Sequence, residues 1–139
     1  MNYSRLWLLA IVMALASQRL DGQRGLSAFP LTFSSGCELD LNGDKKDDRA
    51  MLIGRGNNYD LVVLLQREVD YQGIVLTTRT NPVSLACVYG FTIRERASNP
   101  ARAKSYRTTG TYLELSQPEG ATAAYFWNQG EFREVWLSD

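Results

Sequence analysis

The residues of this chain best suited to chemistry lie in "CELDLNGDKKDDRAMLI", residues 37 to 53. Side-chain oxygens stand at relative positions one, three, five and nine, from Asp40, Asn42, Asp44 and Asp48, and the backbone carbonyl of Lys46 falls at position seven. Hard oxygens collected on one short loop suit calcium, which accepts variable coordination, better than magnesium, which keeps its waters and demands an octahedron. Three carboxylates drawn to ~5 Å of one another would repel by ~3 kcal/mol per pair at an effective dielectric of about 20, and a divalent cation turns that repulsion into attraction. Asp47 falls outside the spacing and is expected to face solvent. Asp, Asn and Gly also build ordinary acidic turns, so an ion-free turn is the competing reading.

The loop is not an EF-hand: position twelve is Met51, which supplies no bidentate carboxylate, and a strand pattern follows where an EF-hand has a helix. Position six is Lys45, where such loops usually want glycine, so this lysine is expected to accept a positive φ. The stretch "LDLNGDKKDDRAMLI" resembles the D-x-N-G-D-x-x-x-D loop and following strand of FG-GAP or VCBS-type repeats, the calcium-binding blade element of integrin-like propellers and of many exported bacterial proteins. The likeness runs from Cys37 to Leu65 and occurs once, whereas a propeller needs several blades. It implies a structural calcium ion held by Asp40, Asn42, Asp44, the Lys46 carbonyl and Asp48, with Lys45 as the departure from the pattern. The whole chain, ending "YFWNQGEFREVWLSD", is similar to small exported bacterial proteins with one such loop and an aromatic C-terminal hairpin, a similarity that brings no activity with it.

Other chemistry is sparse. Histidine is absent, which removes Ser-His and Cys-His nucleophilic pairs, histidine bases and histidine-containing zinc sites. A hydrolase would have to use a carboxylate pair drawn from residues such as Glu95, Glu114, Glu119 and Glu134, and no spacing singles one out. Cys37 and Cys87 are expected to form a disulfide in an oxidising compartment, with two separate buried thiols as the alternative. Arg94, Arg96, Arg102, Lys104 and Arg107 crowd residues 94 to 109, which contain Asn99-Pro100 and read as a long surface connection; a solvated loop and an anionic-ligand or partner patch both fit. Tyr125, Trp127, Phe132 and Trp136 either fill a core or offer rings to a sugar or a protein partner. Strand alternation puts Tyr125 and Trp127 on one face and Phe126 on the other, which favours a core role for at least one set.

The elements that must position these groups are short strands. The chain has 139 residues, the length of one domain. Residues 1 to 16 read as a secretory signal, with Arg5, the apolar run "LWLLAIVMALA" and a cleavage site after Ala16. Eleven apolar residues are too few to cross a bilayer, so no membrane span is expected after cleavage. Residues 17 to 30 lack periodicity and read as a flexible leader. Losing the signal takes Arg5 away and leaves a net charge of about −1, a balance that implies neither a nucleic-acid surface nor a polybasic membrane patch. From residue 31 to 139 the expectation is a mainly β fold, one compact antiparallel domain of about seven strands. These cover "RAMLIG", "YDLVVLL", "QGIVLTT", "ACVYGFTI", "GTYLELS", "TAAYFW" and "FREVWLS", with Gly130 at positive φ in the last hairpin. The functional expectation is an exported, periplasmic or secreted, non-catalytic binding module with a structural calcium loop and a protein or cell-envelope partner. An immunity or inhibitor protein is one version of it; the alternative is a small cell-envelope hydrolase.

Overall fold

Apolar residues at every second place, flanked by turn formers, produce eight strands in the computed structural model, which describes residues 31–138. The expected signal segment and leader lie outside the described residues. The strands are β1 (Leu31–Leu39), β2 (Asp48–Arg55), β3 (Asn58–Gln66), β4 (Tyr71–Arg79), β5 (Ser84–Arg94), β6 (Ser105–Ser116), β7 (Thr122–Asn128) and β8 (Glu131–Ser138). They form two four-stranded antiparallel sheets, β1 to β4 and β5 to β8, each in sequence order. The mainly β expectation is met, with β1 as one strand beyond the seven expected. No helix among the described residues is long and apolar enough to cross a membrane.

Period-two burial explains how the sheets meet. In β3, Leu61, Val63 and Leu65 are buried while their neighbours are half-buried. With Leu39, Leu41, Ala50 and Leu52 they pack against Leu113, Leu115, Ala123 and Tyr125 of the second sheet, a sandwich core. Cys37 on β1 and Cys87 on β5 join the sheets through a disulfide with Cα atoms 6.5 Å apart.

The second sheet is apolar on its other face too. Ile93, Ala124, Phe126 and Val135 form a separate buried cluster, with Tyr106, Tyr112 and Leu137 packed against it. Curling of the sheet makes this second core possible. Strand β6 pairs with β7 only over Leu113–Ser116, so its first half departs from β7. Beyond β5, the Arg96 N–H donates to the Trp136 carbonyl of β8 at 2.8 Å, bringing the two ends of the sheet together.

Two local findings concern expected turns. Residues 94–109 are a shorter connection than expected, because β5 runs to Arg94 and β6 begins at Ser105. The alternation of half-buried Tyr106 and Thr108 with exposed Ser105, Arg107 and Thr109 extends the strand, and a short 3-10 turn, Pro100–Arg102, occupies the rest with Asn99 as its cap. The β7–β8 hairpin closes Asn128 on Glu131 with Gln129 and Gly130 at φ 52° and 92°, as the two-residue loop requires.

Candidate functional site

The oxygen-rich loop connects β1 to β2, and its own backbone donors wind it. Asp40 accepts the Gly43 N–H on Oδ1 at 2.7 Å and the Lys45 N–H on Oδ2 at 2.8 Å. Asn42 Oδ1 accepts the Asp44 N–H, and Asp44 Oδ1 the Lys46 N–H, both at 2.9 Å. These are Asx turns, in which a short side chain stands in for the backbone acceptor of a turn. Positive φ at Gly43, 82°, and at Lys45, 66°, gives the tight winding, so Lys45 takes the conformation expected at position six.

Strand β6 anchors the loop from outside. Thr109 Oγ1 donates to the Leu41 carbonyl at 3.0 Å, and Thr111 Oγ1 donates to the Asp40 carbonyl. A Cβ on Gly43 would lie 3.0 Å from Thr109 Cγ2, so close approach as well as φ reserves this place for glycine.

Asp48 differs from the other members of the set. It is 0% exposed, and its Oδ2 accepts the Leu41 N–H at 2.9 Å while Oδ1 accepts the Gln66 N–H at 2.8 Å. Burial pushes its pKa above the usual carboxylate value, the nearby Asp44 carboxylate pushes in the same direction, and the N–H groups of Gln66, Leu41 and Asn42 pull it down. Asp44 itself is exposed on the loop. Asp47 is exposed, as expected.

The donor chemistry is all oxygen and suits a hard cation. Each ionised carboxylate oxygen has room for a second partner beside an N–H, so the Asx turns do not exhaust the donors. Among the described residues, however, no three His, Cys, Asp or Glu side chains are gathered as ligands of one ion. Calcium would have to draw Asp40 and Asp44 in toward Asp48, with Asn42 and the Lys46 carbonyl completing the set.

No protein-family model, curated protein or solved structure matches the chain.

The four glutamates of a possible carboxylate pair lie apart in and around the second sheet. Glu95 accepts a hydrogen bond from Tyr106 at 3.0 Å. Glu134 Oε1 accepts from Arg79 at 2.7 Å and from Tyr125 at 3.0 Å. Glu114 lies on β6 opposite Ala86 and Ala124, and Glu119 borders a surface hollow with Trp136. In the basic connection, Arg94 donates to the Pro100 carbonyl at 2.9 Å and so helps hold its own loop.

Two features carried no sequence signal. One is the junction of Arg79, Tyr125 and Glu134, which ties β4 of the first sheet to β7 and β8 of the second, with the Arg79 guanidinium also 5.7 Å from the centre of the Trp136 ring. Burial, then the charge and hydrogen bond of Glu134, push the Tyr125 pKa up to about 12 against the opposing pull of Arg79. The other is a cleft of about 400 Å³ beside the loop, whose lining includes Asn42, Asp44, Lys46, Gln72 and Trp127.

Proposed function

We propose that this chain is an exported, non-catalytic binding module whose 40–48 loop takes a calcium ion in a structural role and whose partner is a protein or a cell-envelope ligand. Asp40, Asn42, Asp44, the Lys46 carbonyl and Asp48 would hold the ion. The observation that carries the reading is the winding of the loop: Asp40, Asn42 and Asp44 accept its backbone N–H groups, Gly43 and Lys45 take positive φ, and the buried carboxylate of Asp48 closes it, which sets five oxygen donors along one short turn. The likeness to the FG-GAP and VCBS-type loop supports the same assignment. Bound calcium would fasten the start of β2 to the end of β3 through Asp48, leaving the sheet surfaces for recognition. An immunity or inhibitor protein is one form such a module takes.

Calorimetric titration of calcium into chelator-treated protein tests the ion, with one site expected and its heat lost in Asp44→Ala. Absence of heat in the parent protein overturns the reading. Export is tested separately by N-terminal sequencing of the protein recovered from cells, where Ser17 is the expected first residue.

A further inference from the structure

We propose that the cleft beside the loop binds a neutral saccharide, with Trp127 as its flat apolar wall and the amides of Asn42 and Gln72 among its hydroxyl partners. The inference rests on reading the chain as a binding module and gives that module a ligand class.

Composition of the walls selects the ligand. Small apolar ligands want pockets lined mainly by hydrophobic groups. Here the only apolar contributors are Trp127 and buried Leu65, and the remaining walls are polar or charged. Side-chain charges balance around the rim, Lys46 and Arg67 against Asp44 and Glu68, so a polyanion such as a nucleic acid is not favoured by net charge. A ring with one C–H face and a rim of hydroxyls matches one aromatic surface surrounded by planar amide, carboxylate and guanidinium groups. The cleft volume, about 400 Å³, falls within the range of small-ligand sites.

Geometry adds preorganisation. Trp127 is half-buried on β7 and meets Phe132 edge to face, with centroids 5.1 Å apart, which fixes its ring. Gln72 stands exposed at the rim, where its Oε1 accepts a hydrogen bond from Arg67. On the loop, Asn42 and Asp44 each accept a backbone N–H in an Asx turn, which orients their side chains at the rim. Rigid polar groups lose little entropy when a hydroxyl-rich ligand binds. The other tryptophan of the domain, Trp136, is 42% exposed beside Gln117 and Glu119 and offers a rival location.

Tryptophan emission distinguishes the two. Trp7 lies in the expected signal, so in the processed protein W136F leaves Trp127 as the only tryptophan. Trisaccharides of glucose, galactose and N-acetylglucosamine at millimolar concentration are titrated in calcium and, separately, in chelator. At least one is expected to give a saturable emission change in W136F, and Gln72→Ala in that background should weaken it about five-fold, the worth of one hydrogen bond, with an unchanged melting temperature. No saturable change in either condition overturns the inference, as does a change seen in the parent but lost in W136F, or undiminished binding by the Gln72 variant. A calcium heat without any saccharide response leaves the module standing and removes only its ligand; a saccharide response without a calcium heat does the reverse.

Discussion

The carboxylate of Asp48, at the first residue of β2, accepts the backbone N–H of Gln66, at the last residue of β3, at 2.8 Å. Its second oxygen holds the Leu41 N–H at 2.9 Å, so one buried side chain closes the acidic loop and the end of a neighbouring strand together. Asp48→Ala would orphan both donors, at about 1–3 kcal/mol each, and the expected loss of stability in urea is about 3 kcal/mol. Asp48→Asn keeps the shape but turns an NH2 toward one donor, so a loss of about 2 kcal/mol is expected. A loss below about 1 kcal/mol for the alanine variant would show that neither bond matters.

Acid titration reads the same residue. Its folded pKa is raised above 3.8, chiefly by burial and further by Asp44. The contribution of a raised carboxyl to stability is complete below the unfolded pKa and is lost as pH rises through the folded one. Asp44→Asn removes the neighbouring charge and should move the Asp48 pKa down, as followed by the side-chain carboxyl carbon in NMR. Calcium should shift it in the same direction. An upward shift in the variant would contradict the proximity of the two groups.

At the alkaline end the group to watch is Tyr125, which is 2% exposed with its pKa pushed up to about 12. A raised acid of this kind stabilises the fold below the unfolded value, near 10, and that contribution disappears as pH climbs from there to about 12. Tyr125→Phe has no phenol to ionise, so its urea midpoint should fall less steeply over that window than the parent's. At neutral pH the variant should be about 1 kcal/mol less stable, having lost the hydroxyl's bonds to Glu134 and Arg79. Equal alkaline slopes would show that Tyr125 ionises normally.

Breaking the Cys37–Cys87 bridge should loosen the sandwich at its β1–β5 edge. The bridge links residues 50 apart, and chain entropy assigns a loop of that length about 4 kcal/mol. Urea unfolding of the parent with and without reductant, beside a Cys37→Ala, Cys87→Ala double variant, measures it. Coincident curves would mean that the bridge constrains nothing.

Much of the fold is visible as short apolar runs, and the reasons for the exceptions are physical. Strand β1, "LTFSSGCEL", has two serines and a glycine where a strand pattern wants branched or aromatic residues, and its strand character comes from its pairing with β2. The start of β6, Ser105 to Thr109, is hidden by the basic residues Lys104 and Arg107 around it, although Tyr106 already alternates into the second core. In β7, alternation assigns at least one face to the core, yet Tyr125 and Phe126, on opposite faces, are both buried. The local marks of the curl are Gly90 and Gly110, paired across β5 and β6 beside a β-bulge with Gly110 at φ 112°, and single glycines inside apolar runs do not by themselves announce a bend. At the candidate site, spacing identified the loop and the strained Lys45, whereas the Asp48–Gln66 bond spans 18 residues and no periodicity connects its ends.

Thermal unfolding in calcium and in chelator tests the ion assignment most directly. At about 100 times its dissociation constant, calcium should stabilise the parent by about 2.7 kcal/mol, or roughly 10 °C for a domain of this size, and Asp44→Ala should abolish the increase. Superimposable melting curves of the parent protein in the two conditions would contradict the account.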